Sequence, residues 1–304
     1  MSALPARLGA LCLAVLAPLA AAASGAQAVP RPDHVVIVIE ENKAYRQIIG
    51  NPEAPYINAL AGSAALFTHS YAVTHPSQPN YLALFSGSTQ DVRDDRCLGT
   101  LAGDNLASEL LGRGHSFAIY SESMPQAGYT GCAAGHYQRK HNPVVNWQGV
   151  NVPSAANLPF AAFPSDYAKL PSVAIVVPNQ ENDMHDGSPD NAIARGDRWL
   201  RENLGPYVRW ARTHKSLLIL TWDEDDGSSR NRIPTLIVGA MVRPGAYAER
   251  IDHYSVLRTI AEMYGLRPPR GAAQAAAITG IWATRGAATK PRVPAPARST
   301  AAGR

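Results

Sequence analysis

The sequence predicts an α/β protein, with a mostly parallel central sheet and helices on both faces. Two observations carry that expectation. Short apolar runs alternate with segments of helical spacing along the body of the chain. The first run, His34-Val35-Val36-Ile37-Val38-Ile39, is β-branched on both faces, as a strand buried between two helical layers must be. With 304 residues, 46% hydrophobic and 17% charged, the chain is neither disordered nor a disulfide-dense miniprotein, and one α/β domain or two small domains would fill it.

The elements follow in order. Pro52 to Ala65 has helical spacing after the first strand, and Ser77 to Gly87 holds a proline-initiated apolar helix. Ser116–Tyr120, Ser172–Val177, Ser216–Thr221 and Thr235–Val238 read as further strands. Asp190–His214 reads as helix broken at Gly205-Pro206, and His253–Tyr264 as an amphipathic helix with Val256, Ile260 and Tyr264 on one stripe. No internal repeat is visible. In such sheets ligands bind beyond the carboxyl ends of the strands, so chemistry is sought there.

The ends differ from the body. Arg7 precedes an apolar run from Leu8 to Ala22, and Ala26-Gln27-Ala28 has the small-x-small pattern of a cleavage site. The run is short of the ~20 residues of a membrane span, so residues 1–28 are expected to be a cleaved export signal and the mature protein to be secreted or periplasmic. No later stretch is a candidate transmembrane segment. Residues 283–304 form a basic Ala/Pro-rich tail without periodicity, expected to be disordered. Arg7 and the tail's five cations account for more than the net charge of +4, which leaves 29–282 slightly acidic. A nucleic-acid partner is therefore not expected. Export leaves the mature chain only Cys97 and Cys132, which suggests one disulfide and excludes a cysteine zinc site by number.

Polar groups crowd the strand ends. Glu40-Glu41-Asn42 follows the first strand directly, which suits a cation site or a helix start capped by Asn42. The strand ending at Thr221 leads into Trp222-Asp223-Glu224-Asp225-Asp226-Gly227, where mutual repulsion would be offset by a divalent cation or relieved by solvation. Asn182-Asp183-Met184-His185-Asp186-Gly187 suits a mixed oxygen and nitrogen metal site, and equally an Asn/Asp/Gly turn. Ser77 stands near a helix N-terminus, a ready anion site, and no Gly-x-Ser-x-Gly elbow is present. Activation of the serine by a metal is the remaining route.

Taken in order, these motifs resemble the alkaline-phosphatase-like superfamily, and within it the bacterial acid phosphatase and phospholipase C family of phosphoesterases. The resemblance runs from about His34 to Trp282 and is strongest to secreted acid phosphatases that act on phosphatidylinositol 3-phosphate. Glu41-Asn42 with Tyr45 resembles the opening metal motif, and Ser77 has the nucleophile's spacing to Gly87. Tyr137-Gln138-Arg139-Lys140-His141-Asn142-Pro143 resembles a basic motif near the substrate, and His253 the histidine that opens a late helix. Two departures stand out. Asp225-Asp226 replaces a histidine found in many phospholipase C relatives, and Tyr81 stands where sulfatases carry arginine.

The resemblance implies a metal-dependent phosphomonoesterase domain over 29–282, working through a phosphoserine at Ser77, and the chain fits a monomer. Glu41, Asn42, Asp223 and Glu224 would hold a divalent metal beside the nucleophile. Asp183, His185 and His253 would hold a second ion or the leaving group. Arg139, Lys140 and His141 would grip the phosphate or a phosphoinositide headgroup, with His141 and His253 counted beside Ser77 as catalytic. Three rivals remain, the first two being a phospholipase C-type phosphodiesterase and an exported protein that binds metal or phosphate without turnover. A metal-independent serine esterase is a third.

Overall fold

In the computed structural model, which describes residues 28–283, ten strands form. They are β1 (His34–Glu40), β2 (Ala65–Tyr71), β3 (Phe117–Ser121), β4 (Ala133–Ala134), β5 (Tyr137–Gln138), β6 (Asn157–Pro159), β7 (Val173–Val177), β8 (Ser216–Trp222), β9 (Arg232–Val238) and β10 (Gly245–Asp252). The expected export signal and tail lie, but for Ala28 and Ala283, outside the described residues. Strands β4 and β5 make a small hairpin, and the other eight form one sheet in the order β10-β2-β9-β8-β1-β7-β3-β6. Every pairing is parallel except the two made by β9, so the sheet is mostly parallel, as expected.

Seven helices cover the sheet: α1 (Tyr45–Ile48), α2 (Pro55–Ala61), α3 (Ser77–Ser86), α4 (Leu106–Gly112), α5 (Pro189–Asn203), α6 (Gly205–Ala211) and α7 (His253–Tyr264). The alternation of β1 sorts them into two layers. Val35, Ile37 and Ile39 pack in one core with α3, α4 and α7, while Val36 and Val38 pack in a second core with α1, α2, α5 and α6. Each fully buried Val or Ile there contributes about 1.5–3 kcal/mol.

Helix α7 has the expected bounds, with Asp252 accepting from the Ser255 N–H and a left-handed Gly265 closing it. The helix expected over Pro52–Ala65 is shorter. It begins at Pro55, which needs no N–H partner, and Ala65 already opens β2. Gly205-Pro206 separates α5 from α6. Strands β2, β4, β5, β6 and β10 and helices α1 and α4 are additions to the sequence reading, and the helix after the first strand is capped at Ala44 rather than Asn42. In β10, which lies at the sheet edge, most side chains are partly or fully exposed, so no apolar run marks it. Gly87 ends α3 at a φ of 69°, and a Cβ there would collide with the Pro269 carbonyl, so the glycine stops the helix where another backbone crosses. No described helix is long and apolar enough to cross a membrane.

Candidate active site

The register of the sheet collects the polar groups. Strands β1 and β8 pair residue for residue from His34↔Ser216 to Glu40↔Trp222, so Glu41 and Asp223 leave the sheet side by side. Main-chain bonds lock the loops together: Asp223 N–H donates to the Glu40 carbonyl (2.9 Å) and Glu41 N–H to the Asp183 carbonyl (2.7 Å). Asn42 turns the chain at a φ of 50°, a conformation asparagine tolerates, and its N–H donates to Asp223 Oδ1 at 3.1 Å.

Ser77 is the first residue of α3, and its hydroxyl is buried between two carboxylates. Oγ lies 3.0 Å from Glu41 Oε2 and 3.2 Å from Glu224 Oε1. The other Glu41 oxygen receives the Tyr81 hydroxyl at 2.5 Å and lies 3.2 Å from His141 Nε2. His141 Nδ1 is 3.6 Å from Asp183 Oδ2, and its ring stacks on Tyr81. An open cavity of about 470 Å³, lined by Asn42, Lys43, His75, His185 and Glu224 among others, gives access from solvent.

The electrostatics are unbalanced. Glu41, Asp183, Asp223 and Glu224 are all buried. Burial, reinforced by the neighbouring acids, raises the carboxyl of Glu41 well above the ordinary range. Burial does the same for Asp183, takes Asp223 to about 6 and takes Glu224, beside Asp223, to about 9. The His141 imidazole is pushed well down by burial and by Lys140. The two nearby lysines are turned elsewhere: Lys43 Nζ donates to the Met184 carbonyl at 2.6 Å, and Lys140 Nζ to Asp95 at 2.9 Å.

Among the described residues, Asn42 Oδ1, His141 Nε2, Asp183 Oδ2 and Asp223 Oδ2 are buried without a hydrogen-bond partner. Glu41, His141 and Asp183 each offer an atom, all within 4.8 Å of one another, that a metal ion could share. Orphaned acceptors on clustered buried acids are costly alone and are the donor set that a divalent cation needs. The residues fit a metal.

The candidates from the sequence sort into groups. Ser77, Glu41, Asn42, Asp183, Asp223, Glu224 and His141 converge. His253 stands behind them, its Nε2 donating to the Asp223 carbonyl at 2.7 Å. His185 lines the cavity but turns Nδ1 to Asp186 at 2.8 Å. Arg139 faces away, with Nη1 on the Thr130 carbonyl at 2.8 Å. The acidic run Asp223 to Asp226 divides in the same way. The Asp225 carboxylate wraps its own loop, accepting from the N–H groups of Gly227, Ser229 and Asn231, while Asp226 faces Gln47 and Ser228. Cys97 and Cys132 form the expected disulfide.

Sequence reasoning did not single out several residues here. His75 lies 2.7 Å from Glu224 Oε2, and its position two residues before Ser77 was the available signal. Glu122 accepts from Asn179 N–H, Asn182 Nδ2 and Trp199 Nε1, which fixes the loop carrying Asp183. Asp95 touches both the peptide after Ser77 and Lys140, through pairings that no local pattern announces.

Residues 51–267 match the phosphoesterase family. The chain is 51% identical over 260 residues to a phosphatidylinositol-3-phosphatase of Mycobacterium tuberculosis, covering 84% of this chain and 85% of that protein. It is 31% identical over 226 residues to an acid phosphatase of Aspergillus fumigatus, covering 68% of this chain and 50% of that protein, so it spans about half the length of this fungal relative. Among solved structures, an alkaline phosphatase superfamily protein from Vibrio parahaemolyticus superposes with a TM-score of 0.54 at 14% identity, covering 83% of this chain and 72% of that one. The C-terminal periplasmic domain of EcEptC from Escherichia coli, solved in complex with Zn, gives 0.51 at 11% identity, covering 78% and 84%. At such identities the likeness is one of fold.

Proposed function

The chain belongs to the phosphoesterase family, and from that premise we propose that it is an exported, metal-dependent phosphomonoesterase that works through a phosphoserine at Ser77. Its substrates include phosphoinositide headgroups such as phosphatidylinositol 3-phosphate, the reading that the Mycobacterium tuberculosis relative favours. The observation that carries the mechanism is the Ser77 hydroxyl set 3.0 and 3.2 Å from two buried carboxylates at the start of a helix.

Glu41, Asn42, Asp223 and Glu224 would hold a divalent cation beside Ser77, with Asp183, His141 and His185 available to a second ion. Such a cation supplies Lewis-acid stabilisation of the serine alkoxide and of the phosphoryl oxygens. Zinc is one candidate by analogy with the Escherichia coli fold neighbour. Ser77 Oγ attacks phosphorus, the bond from phosphorus to the leaving oxygen breaks as the new one forms, and the serine proton passes by way of solvent to the leaving oxygen. Water then attacks the same phosphorus, returning the serine and releasing phosphate. Tyr81 fixes Glu41, and His253 fixes the Asp223 main chain. Lys140 adds positive charge for the transferring group. The Cys97–Cys132 bridge favours an oxidising compartment.

The test is phosphate release from an aryl phosphomonoester, from phosphatidylinositol 3-phosphate and from an aryl phosphodiester, with and without chelator. Metal-dependent release from the monoesters, lost by at least about 10³-fold in Ser77→Ala, supports the reading. Full activity of Ser77→Ala overturns the covalent route. Preference for the diester favours the phospholipase C-type alternative.

A further inference from the structure

One carboxylate beside the nucleophile belongs to neither the metal cluster nor the substrate cavity. Asp95 Oδ1 accepts the N–H of Gln78, the residue that follows Ser77, at 2.9 Å, and Oδ2 accepts Lys140 Nζ at 2.9 Å. Both partners are sheltered, with the Lys140 side chain 17% and the Asp95 side chain 30% exposed. The pair is braced from behind. The Cys97–Cys132 disulfide starts two residues beyond Asp95, and the Cys132 carbonyl accepts the N–H of Arg139, next to Lys140.

Electrostatics give the arrangement a purpose. The Glu41 and Asp223 carboxylates attract the Lys140 ammonium, and the bond to Asp95 competes with them for it. A lysine on a flexible stem beside four buried acids would fold onto them and neutralise the groups that a metal needs. Tied to Asp95, which also accepts the Gln78 N–H, its charge is held next to the residue that follows Ser77.

We propose that Asp95 is a positioning residue, which holds Lys140 beside Ser77 as the phosphoryl-binding cation and keeps it out of the carboxylate cluster. This rests on the reading of Ser77 as nucleophile.

The test is a double-mutant cycle on phosphomonoester turnover at saturating metal, using Asp95→Asn, Lys140→Met and the double variant. Asparagine can still accept the Gln78 N–H but loses the charge that holds Lys140. Asp95→Asn is expected to lower kcat/KM at least tenfold and to raise the inhibition constant of inorganic phosphate in parallel, with Asp95→Glu recovering part of the loss. In the Lys140→Met background the same substitution is expected to change kcat/KM less than twofold. An equal loss in both backgrounds, no loss in Asp95→Asn, or a fully active Lys140→Met overturns the proposal. Ser77→Ala, measured alongside, separates the two readings. If it keeps turnover, the nucleophile assignment fails; if it is inactive while Asp95 acts independently of Lys140, only the Asp95 proposal fails.

Discussion

The Tyr81 hydroxyl stands 2.5 Å from Glu41 Oε1, while the second oxygen of the same carboxylate meets Ser77. One phenol therefore fixes the orientation of the carboxylate that faces the candidate nucleophile. Burial and the neighbouring Glu41 keep that phenol protonated, so it is a donor at any working pH. Partners that orient a metal's ligands typically change its affinity about 10–100-fold. Tyr81→Phe removes the donor with little change in volume. It is expected to weaken divalent-metal binding at least tenfold, measured by calorimetric titration of chelator-treated protein, while the metal-free melting temperature moves little. Unchanged metal affinity would show that Glu41 is held by its other neighbours.

Stripping metal from the site has a pH signature of definite sign. In the metal-free fold, burial keeps Glu41 and Asp183 protonated well above the ordinary carboxyl range and holds Glu224 to about 9. In the unfolded chain these groups are ionised by pH 7. The folded state therefore binds more protons between pH 7 and 9, and its stability falls as pH rises through that window. Buried His141 and His253, with lowered pKa values, are neutral in the fold, and the residual protonation of unfolded histidine near pH 7 adds only a small slope of opposite sign. Thermal melts with chelator are expected to drop from pH 7 to 9. Added divalent metal should flatten or reverse the trend, because its ligands must be ionised. A chelated protein that gains stability toward pH 9 would contradict the clustering of these acids.

What the sequence discloses follows burial and locality. Strand β1 is legible because both its faces are buried, while β10 at the sheet edge carries no apolar run. Ser77, Glu41 and Asp223 are legible as candidates because each opens a helix or directly follows an apolar strand. Glu224 and Asp225 are adjacent carboxylates that composition and spacing alone cannot rank; only the family resemblance singles out Glu224. Backbone N–H groups from Gly227, Ser229 and Asn231 turn one into a loop brace, and the other accepts the Ser77 hydroxyl. Asp95 is illegible for another reason: its partners are 17 and 45 residues away, and only the tertiary fold brings them together.

That division of the acidic run can be tested directly. Asp225 accepts three main-chain N–H groups and lies 3.3 Å from His75 Nε2, so its removal leaves the loop's donors unpaired. Asp225→Ala is expected to cost about 2–3 kcal/mol of stability in a denaturant titration. The metal-to-protein ratio should stay that of the wild type. A loss of bound metal without a loss of stability would instead make Asp225 a ligand.

The disulfide is expected to act on stability through the unfolded chain. It joins positions separated by 35 residues, and closing a loop of that size restricts the unfolded ensemble by about 4 kcal/mol. Both cysteines are exposed, so a reductant reaches the bridge without prior unfolding. Cys97→Ser with Cys132→Ser, or reduction of the wild type, is expected to lower the melting temperature by roughly 8–16 °C for a domain of this size. The two treatments should agree, since serine keeps the volume and loses only the bond. A shift of under about 3 °C in both would mean that the Asp95 and Lys140 segments are held by their hydrogen bonds alone. In that case reduction should also leave kcat/KM for the phosphomonoester unchanged.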